Sequence, residues 1–383
     1  MNKKLIRITT VPMALRYLLP GQMQYMAQNG IDVLMISADG PELKDVIANE
    51  NCRHIVVPMT RKITPWQDLK CLISLIKIFK KEKPDIVHTH TPKAGLLGML
   101  AARWCGVKVR IHTVAGMPLM VEKGVKKSIL KFTERLTYKA ANHVWPNSLS
   151  LLKIIRNYKL CNENKLEVIG KGSTNGVNIQ RFGRQNISTA DMATVKTKIN
   201  YDERCTYLLF IGRLVKDKGL VELVEVFKEM LAANPLLRLI IVGKYESDLD
   251  PLPPATTDAI NHTTEIIHIN WADNVEHYMA VADLFVFPSH REGFPNVVLQ
   301  SAAMQLPVVC SIIEGNIDIV THRQTGLLFK KCDTIELKQQ LEFALANKNQ
   351  MQQMAQQLYN YVTANYATEK MWALLLEKYN SLA

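Results

Sequence analysis

The sequence lacks any apolar run long enough to cross a membrane. Its longest strongly apolar stretch, residues 71–76, ends at Lys77, whereas a membrane-spanning helix needs roughly 18–20 such residues. The N-terminal region does not have the pattern of a signal peptide either, because Arg7 and Arg16 interrupt its apolar residues. We therefore expect no transmembrane helix and a chain that is retained in the cytoplasm.

Ordered cysteine patterns and short repeats are also missing. The seven cysteines are odd in number, scattered and never arranged as C-x-x-C, which argues against a disulfide framework or a zinc site. Reduced and mostly packed thiols are the expectation. A length of 383 residues with 48% hydrophobic residues is typical of a globular chain with two cores.

Acidic residues are scarce only in the first half. Residues 1–175 contain 28 Lys and Arg against 12 Asp and Glu, a net charge of +16, whereas residues 176–383 contain 19 against 23, a net charge of −4. This asymmetry favours an anionic partner for the first half: a phosphate-rich acceptor or membrane headgroups. A basic surface that only keeps the chain soluble is the alternative. Nucleic acid is not expected as a partner, because the basic half lacks interleaved surface aromatics and any recognised motif.

Short apolar runs alternate with amphipathic segments along the first half, which predicts a parallel α/β sheet. We expect strands at residues 5–10, 32–37, 54–57, 85–90, 108–114, 143–147 and 166–169. Helices are expected at residues 18–29, 66–83, 94–105 and 124–141.

A polar stretch over residues 170–203 predicts an interdomain linker at its start, after which the α/β pattern resumes. Strands are expected at residues 207–212, 237–243, 266–270, 284–288, 307–311 and 326–329. Helices are expected at residues 220–233, 275–282 and 297–304, and throughout the region after residue 334. The predicted domains are residues 1–175 and 176–364, followed by a helix over 365–383 that could return to the first domain.

The strongest chemical signal is the loop Gly212-Arg-Leu-Val-Lys-Asp-Lys-Gly219, which joins a predicted strand to a predicted helix. Ligands in open α/β sheets bind beyond the carboxyl ends of strands, and a helix start offers unpaired N–H groups to anions. Arg213 and Lys218 suit a diphosphate, because arginine supplies a fork of donors and lysine a compact charge. Ordinary surface charge is the alternative for this loop.

A second strand, loop and helix follow at residues 283–300. Glu292 lies in the loop and Gln300 inside the helix, while Gly293 permits a close approach of the backbone to a ligand. The N–H groups at the helix start, from Phe294, Asn296 and Val297, could face a phosphate or a sugar hydroxyl. An exposed loop acid is the alternative for Glu292.

These motifs resemble those of the retaining glycosyltransferases of the GT-B fold, particularly glycosyltransferase family 4. The resemblance rests on residues 212–219, Ile241-Val-Gly243, P-S-H-R-E-G-F-P-N-V-V-L-Q at 288–300 and Thr325-Gly-Leu-Leu328. It implies an α/β protein with two Rossmann-like domains facing across a cleft, in which Arg213, Lys218 and Glu292 serve catalysis. The resulting donor-binding set is Gly212, Gly243, Gly293, Phe294, Pro295, Asn296, Val297 and Gln300.

By this resemblance Arg213 and Lys218 hold the donor diphosphate and Glu292 contacts the transferred sugar. The chain departs from the family at Gln300, where a second acid is expected to bind the nucleotide ribose. A neutral amide can still bond to ribose hydroxyls as donor and acceptor.

The first half resembles a branch of the family that extends lipid-diphosphate-linked sugars in capsule or O-antigen assembly. The matching segments are residues 87–98, 111–117 and 172–176. The predicted acceptor-binding residues are Gly21, His90, Lys93 and His112. Packed core histidines and a purely structural turn at Gly21 are the alternatives, and the His-Gly pair of many relatives is Ala115-Gly116 here.

Two further patterns have competing interpretations. Asp248-Leu-Asp250 matches a metal-binding D-x-D but lies in a proline-rich acidic loop, so we expect no essential metal and no cofactor. Residues 66–83 and 123–139 mix lysine with apolar residues at helical spacing, as membrane-surface helices do. Buried helices with solvated lysine faces explain the same pattern.

Together these features predict a glycosyltransferase that moves a hexose or N-acetylhexosamine from a UDP-sugar to an undecaprenyl-diphosphate-linked glycan, peripherally on the inner face of an anionic membrane. A UDP-sugar 2-epimerase of the same fold is one alternative, although no convincing pair of acid and base carboxylates can be placed. An inactive membrane-associated binding subunit is the other.

Overall fold

The computed structural model describes residues 3–120, 124–246 and 250–382. It divides into two compact units, one made of Met1–Asn175 with Thr368–Ala383 and the other of Gly176–Ala367. All seven cysteines are described and carry free thiols. Among the described helices, none combines the length and apolar character that crossing a membrane requires.

Unit 1 is built on a six-stranded parallel sheet with the order β3-β2-β1-β4-β5-β6. Its strands are β1 Lys4–Ile8, β2 Asp32–Ser37, β3 Arg53–Val56, β4 Ile86–His90, β5 Val109–Val114 and β6 His143–Pro146. Its helices are α1 Pro12–Leu18, α2 Gln22–Gln28, α3 Leu43–Glu50, α4 Pro65–Glu82, α5 Pro92–Trp104, α6 Gly124–Ala140, α7 Leu149–Asn157 and, from the end of the chain, α16 Thr368–Leu382.

Unit 2 repeats this plan with the strand order β12-β11-β10-β7-β8-β9. Its strands are β7 Thr206–Ile211, β8 Leu237–Val242, β9 Ile266–Ile269, β10 Leu284–Phe287, β11 Val308–Ser311 and β12 Leu327–Phe329. Its helices are α8 Thr189–Lys198, α9 Leu220–Ala233, α10 Pro254–His262, α11 Val275–Val281, α12 Asn296–Ala303, α13 Asn316–Ile319, α14 Thr334–Ala346 and α15 Lys348–Tyr366.

Both sheets are of the doubly wound type, which confirms the predicted pair of Rossmann-like α/β domains. The strand order reverses between β1 and β4 in unit 1 and between β7 and β10 in unit 2. Such a reversal opens a crevice outside the carboxyl ends of the two strands, where ligands bind in folds of this type. The loops after these four strands are therefore the places to look for function.

Strand β4 departs from the apolar composition of a central parallel strand. All five of its residues are buried, yet the last three are His88, Thr89 and His90, whereas such strands are usually continuous runs of Val, Ile and Leu. On one face, α5 packs against the sheet through glycines. A Cβ added at Gly98 would lie 2.6 Å from Thr89 Cγ2.

Two predicted elements were wrong in detail. Residues 166–169 are not a strand, because only Leu166 forms an isolated bridge, to Val144, after the short 3-10 turn Glu163–Lys165. The helix predicted at 18–29 begins later, as α2 at Gln22 after Pro20 and Gly21, and α1 before it was not predicted. Further along the polar stretch 170–203, the structure has a helix that was not predicted, α8, which begins where the Ser188 side chain accepts from Asp191 N.

Candidate active site

The two strand-to-helix loops singled out in the second half of the sequence meet at the reversal point of the unit 2 sheet. One follows β7 and passes through the 3-10 turn Lys216–Lys218 into α9. The other follows β10 and leads into α12. Because β7 and β10 are neighbouring parallel strands, their carboxyl ends bring the two loops side by side.

An ion pair between Lys218 and Glu292 joins the tips of these loops. The Lys218 ammonium contacts Glu292 Oε1, and the Ser289 hydroxyl donates to the same oxygen at 2.9 Å. Both charged side chains are largely buried, with 13% and 16% of their side-chain surface exposed. The residues predicted to hold the donor phosphate and the sugar are thus in direct contact.

A second set of contacts, which the sequence did not predict, fixes the loops to each other. Arg291 Nε donates to Asp217 Oδ2 at 3.0 Å, and His290 N donates to the carbonyl oxygen of Asp217 at 2.8 Å. His290 Nε2 lies 2.9 Å from Glu222 Oε1 at the start of α9. Together these bonds hold the site at a defined spacing between α9 and the loop after β10.

Glycines allow the loops to approach this closely. Gly219 has a φ of +71°, and a Cβ added to it would lie 2.1 Å from the carbonyl oxygen of Pro288. A Cβ at Gly243 would lie 1.8 Å from the carbonyl oxygen of Gly212. Real Cβ atoms cannot come so near, so both positions require glycine for this geometry.

Arg213 has a different partner from Lys218. Its guanidinium Nη1 lies 2.5 Å from Glu246 Oε2, and 44% of its side chain is exposed. The backbone beside it is tied to the loop after β8, since Leu214 N donates to the carbonyl oxygen of Lys244 at 2.8 Å. The two basic residues therefore pair with acids on different loops. Lys218 pairs with Glu292 in the loop after β10, and Arg213 pairs with Glu246 in the loop after β8.

The other predicted donor-binding residues line up along the start of α12. Gly293, Phe294 and Pro295 are buried, with Pro295 as the N-cap of α12. Asn296 and Val297 form the first turn, half-buried, and their N–H groups precede any intrahelical acceptor. Gln300 is also half-buried, one turn further along the helix.

Asp250 has a structural role in the described part of the D-x-D segment, whereas Asp248 lies outside the described residues. Asp250 Oδ2 accepts from Asp217 N at 2.8 Å, and its carbonyl oxygen accepts from Lys216 N at 3.1 Å. These bonds secure the turn that carries Lys218.

Within the described residues, one group of side chains could hold a metal ion: Glu222, His290 and Cys332, whose donor atoms lie within 4.8 Å of one another. Burial alone would raise the pKa of Glu222, but hydrogen bonding from His290 and from the backbone reverses the balance and lowers it. Burial, followed by the charge of Glu222, raises the pKa of the Cys332 thiol. The absence of an essential metal stays a prediction.

In unit 1, the reversal point between β1 and β4 is occupied by two threonines that the sequence analysis did not single out. Thr10 Oγ1 and Thr91 Oγ1 lie 2.7 Å apart, and Ala94 N at the start of α5 donates to Thr10 Oγ1 at 3.3 Å. Thr91 has a φ of +71° and a ψ of 146°, a conformation that side chains rarely adopt and that concentrates at functional sites. The sequence signal that could have identified them is their position, because Thr10 ends one predicted strand and Thr91 directly follows another.

The structure does not bring the predicted acceptor residues His90 and His112 together. His90 packs against the ring of His88, with the ring centroids 5.2 Å apart. His112 pairs in register with Thr89 and so lies on the opposite face of the sheet, where its Nδ1 is 2.9 Å from Thr89 Oγ1. There a Cβ added at Gly95 of α5 would lie 2.3 Å from His112 Cε1.

Lys93 is held by an acid of its own unit. Its ammonium lies 2.7 Å from Asp68 Oδ1 and also contacts the carbonyl oxygen of Lys62 and the hydroxyls of Thr60 and Thr64. These contacts tie the start of α5 to α4. A phosphate bound by Lys93 would have to compete with Asp68.

Gly21 is not in the loop after the first strand, because α1 lies between them. It is the N-cap of α2, with a φ of +76°, and its N–H donates to Glu50 Oε1 at 2.6 Å. Burial raises the pKa of Glu50, and the backbone N–H groups it accepts from counteract this. A Cβ at Gly21 would lie 2.7 Å from the Trp372 ring of α16, so the close contact at Gly21 is with α16.

Two doubly wound parallel sheets, one of which carries basic and acidic groups at its reversal point, define the class of GT-B proteins. The fold is similar to that of a glycosyltransferase from Rickettsia africae ESF-5, with a TM-score of 0.81 and 20% identity over 100% of this chain and 98% of that one. It is equally similar to Anabaena Alr3699/HepE in complex with UDP and glucose, with a TM-score of 0.82 and 15% identity over 99% of this chain and 100% of that one.

Sequence comparisons define the family within this class. Residues 191–361 match the family described as Glycosyl transferases group 1, and residues 11–148 match Glycosyl transferase 4-like. The capsular polysaccharide biosynthesis glycosyltransferase CapM of Staphylococcus aureus is 30% identical over 380 residues, which are 99% of this chain and 97% of that protein. The chain therefore belongs to the group 1, GT4-like glycosyltransferases, and the predicted resemblance is confirmed.

A second relative is UDP-Gal:alpha-D-GlcNAc-diphosphoundecaprenol alpha-1,3-galactosyltransferase of Escherichia coli. It is 30% identical over 324 residues, which are 82% of this chain and 79% of that protein. Like the family models, both relatives are described as glycosyltransferases, so the protein is an enzyme of that class. This assignment favours transfer over the epimerase and the inactive subunit considered above.

Proposed function

We propose that the protein transfers a hexose or N-acetylhexosamine, with retention of configuration, from a UDP-sugar to an undecaprenyl-diphosphate-linked glycan during surface polysaccharide biosynthesis. The observation that carries this proposal is the contact between Lys218 and Glu292 at the reversal point of the unit 2 sheet. Relatives support the biological setting. One acts in capsular polysaccharide biosynthesis, and another is described as using UDP-Gal and a diphosphoundecaprenol acceptor.

In the proposed reaction Arg213 and Lys218 bind the donor diphosphate and stabilise the charge that it gains on leaving. The bond between the sugar C1 and the diphosphate oxygen breaks, and a bond from an acceptor hydroxyl oxygen to C1 forms on the same face. The hydroxyl proton passes to the departing diphosphate, so no protein nucleophile is required. Glu292 contacts the transferred sugar, and Gln300 bonds to the nucleotide ribose.

Donor binding would exchange the partners of both basic residues. Lys218 would leave Glu292 for a phosphate oxygen, which frees the carboxylate for a sugar hydroxyl. Arg213, which is more exposed, would turn from Glu246. The first-turn N–H groups of α12 add a favourable site for negative charge.

Incubating the enzyme with a panel of nucleotide sugars and extracted lipid-linked acceptors, followed by mass analysis, tests the proposal. We expect a hexose or N-acetylhexosamine increment from a UDP donor, undiminished by a chelator because no residue is assigned to an essential metal. Arg213→Ala should lower kcat/KM by about 10²-fold or more, as loss of a charge-stabilising donor does. Lys216→Ala, an exposed lysine on the same loop, is the matched control. Unchanged turnover in Arg213→Ala would refute the donor-site assignment.

We further propose that unit 1 binds an anionic membrane surface on its inner face. Three exposed apolar residues follow helical spacing on α4, Trp66, Leu69 and Ile73, and three more on α6, Val125, Ile129 and Phe132. Spacings of three and four residues place each set on one helix face. Exposed basic residues accompany them at Lys70, Lys77 and Arg135, as in helices that lie in a membrane interface.

A further inference from the structure

A cavity in unit 1 lies between the sheet and α16, on the face that carries His88 and His90. Its enclosed space is about 20 Å³, room for one or two water-sized atoms, and its lining includes Arg7, His90, Trp145 and Asn147. Neither the donor site nor the packing of α16 accounts for its polar lining.

Arg7 brings an uncompensated positive charge to this cavity. Its side chain is on β1 and only 1% of the residue is exposed. Both of its hydrogen bonds leave from Nη1, to His88 Nδ1 and to Tyr379 OH, and the buried Nε has no partner. Burial lowers its pKa, and only Tyr379 acts in the other direction, so no carboxylate of the described residues balances the guanidinium.

His88 contacts Arg7 but cannot balance its charge, because an imidazole ring is either neutral or positive. His88 Nδ1 faces Arg7 and Tyr379, while Nε2 lies 2.7 Å from Thr113 Oγ1. Burial, followed by the charge of Arg7, holds the pKa of His88 well below its usual value. The ring is therefore neutral, accepts at Nδ1 and donates from Nε2.

Further hydrogen-bonding atoms around the cavity have no partner in the protein. They are both ring nitrogens of His90, Nε1 of Trp145 and Oδ1 of Asn147. Burial, followed by the charge of Arg7, lowers the pKa of His90 well below its usual value, so its neutral ring offers one donor and one acceptor. Most buried polar atoms in native proteins are satisfied, and such a group of exceptions calls for a ligand or ordered water.

We propose that this cavity binds one oxygen of an oxyanion, a carboxylate or phosphate group whose remainder lies on the side open to solvent, through Arg7 Nε, Trp145 Nε1 and a ring N–H of His90. Water alone could satisfy the hydrogen bonds but not the charge, because arginine cannot lose its proton and a buried unpaired cation is costly. An oxyanion supplies both. The ligand is either free phosphate or the acidic group of an acceptor saccharide, and only this second identification rests on the proposed function.

Binding of inorganic phosphate, glucuronate and glucose, measured by calorimetry with the donor site saturated by UDP, tests the proposal. We expect saturable binding of the two anions and none of neutral glucose. Tighter glucuronate than phosphate identifies an acidic saccharide as the ligand, and the reverse order identifies free phosphate. The same binding should persist in an Arg213→Ala/Lys218→Ala variant, which separates this site from the donor loops.

His90→Leu removes both ring nitrogens at similar volume and should weaken anion binding about tenfold or more, the scale of a hydrogen bond to a charged group. Arg7→Met should abolish binding, and His90→Leu keeps the test valid if that variant does not fold. His54→Leu, on β3 and outside the cavity lining, is the matched control.

Three results would overturn the proposal: no saturable anion binding to UDP-saturated protein, equal binding of glucose, or loss of all anion binding in the Arg213→Ala/Lys218→Ala variant. None of these results depends on whether sugar transfer is detected. Failure of the proposed function would therefore be seen separately, in the mass analysis.

Discussion

Lys218 and Glu292 neutralise each other at the tip of the donor loops, and each therefore determines what the other can do. Both are largely buried, so removing one leaves an unpaired charge in a site of reduced dielectric, which costs more than the pair itself contributes. The effect on donor binding depends on which of the two charges is left unpaired. An unpaired Glu292 carboxylate would repel a diphosphate, whereas an unpaired Lys218 would attract one.

This asymmetry predicts a rescue. Lys218→Ala should weaken UDP binding about 10- to 100-fold, the scale of a lost hydrogen bond to a charged group. Adding Glu292→Gln to that variant should recover part of the affinity, because the repelling charge is gone while the amide can still accept from Ser289. Titration calorimetry with UDP on the two variants measures the difference, with Lys216→Ala as the control. If the double variant binds UDP no better than Lys218→Ala, the pair does not act as described.

Glu134 makes the stability of unit 1 depend on pH. It is a buried residue of α6, and burial raises its pKa from 4.5 to about 7. In the folded state it keeps a proton that the unfolded chain has already lost. The contribution of Glu134 to the free energy of unfolding is therefore fully present below about pH 4.5 and is lost as the pH rises to 7. The free energy of unfolding falls by about 3 kcal/mol over this range.

Glu134→Gln should remove this loss, because an amide stays neutral throughout. We expect the variant to have a higher free energy of unfolding than the parent at pH 8 and a similar one at pH 4.5. Urea unfolding across this range provides the measurement, and Glu163→Gln, an exposed acid of the same unit, is the control. A parent and a Glu134→Gln variant with parallel pH curves would contradict the raised pKa.

At the scale of elements, strands and the loops behind them were predictable because their signals are local. Apolar runs and the residues at their carboxyl ends locate β7, β10 and the donor loops directly. Residues 166–169 failed as a strand although three of the four are apolar, since only Leu166 reaches the edge strand. Gly21 was misplaced because Pro12, a favourable first helical residue, starts a helix that the pattern around it does not mark.

Side-chain partners were not predictable, because they join residues far apart in sequence. The sequence offered Arg213 and Lys218 as one pair, whereas the fold gives them Glu246 and Glu292. The residues of the pairs Asp217–Arg291 and Glu222–His290 are 74 and 68 positions apart along the chain. They meet only because β7 and β10 are neighbouring strands. Strand register was not predictable either. His90 and His112 lie on adjacent strands, but His112 is paired with Thr89, so the two histidines are on opposite faces of the sheet.

The junction of the two donor loops predicts a glycine requirement at position 219. Gly219→Ala would place a Cβ 2.1 Å from the Pro288 carbonyl oxygen. The two loops would therefore have to separate, which would also break the contact between Lys218 and Glu292. We expect a loss of UDP affinity and a lower Tm. Gly106→Ala is a matched control, because Gly106 has nearly the same φ, +69°, with open space around it.

The control isolates backbone strain, which costs roughly 1–2 kcal/mol at a left-handed position, from the collision with Pro288. Gly106→Ala should lower Tm slightly and leave UDP binding unchanged. A similar small effect in both variants would show that the loops tolerate displacement and that their close packing is not needed for donor binding.

Charge is divided across the whole molecule, with +16 in residues 1–175 and −4 in the remainder. The exposed apolar stripes of α4 and α6 lie in the basic part, and both helices pack beside α5. Electrostatic attraction brings a basic surface to anionic lipid, and apolar side chains then enter the interface. Neither feature alone separates a membrane surface from ordinary solubility, and their coincidence on one unit is what supports the proposed membrane contact.

Sedimentation with lipid vesicles tests this at the scale of the whole molecule. We expect binding to phosphatidylglycerol vesicles, little binding to phosphatidylcholine, and release as salt rises above about 0.1 M, where the screening length falls below roughly 10 Å. Trp66→Ala with Phe132→Ala should weaken binding several-fold without changing the salt dependence, because these side chains supply the apolar part alone. Trp271→Ala, in unit 2, should bind as the parent does. Equal binding to both lipids would mean that the charge asymmetry serves another partner, and the oxyanion cavity beside Arg7 would then be the first place to seek it.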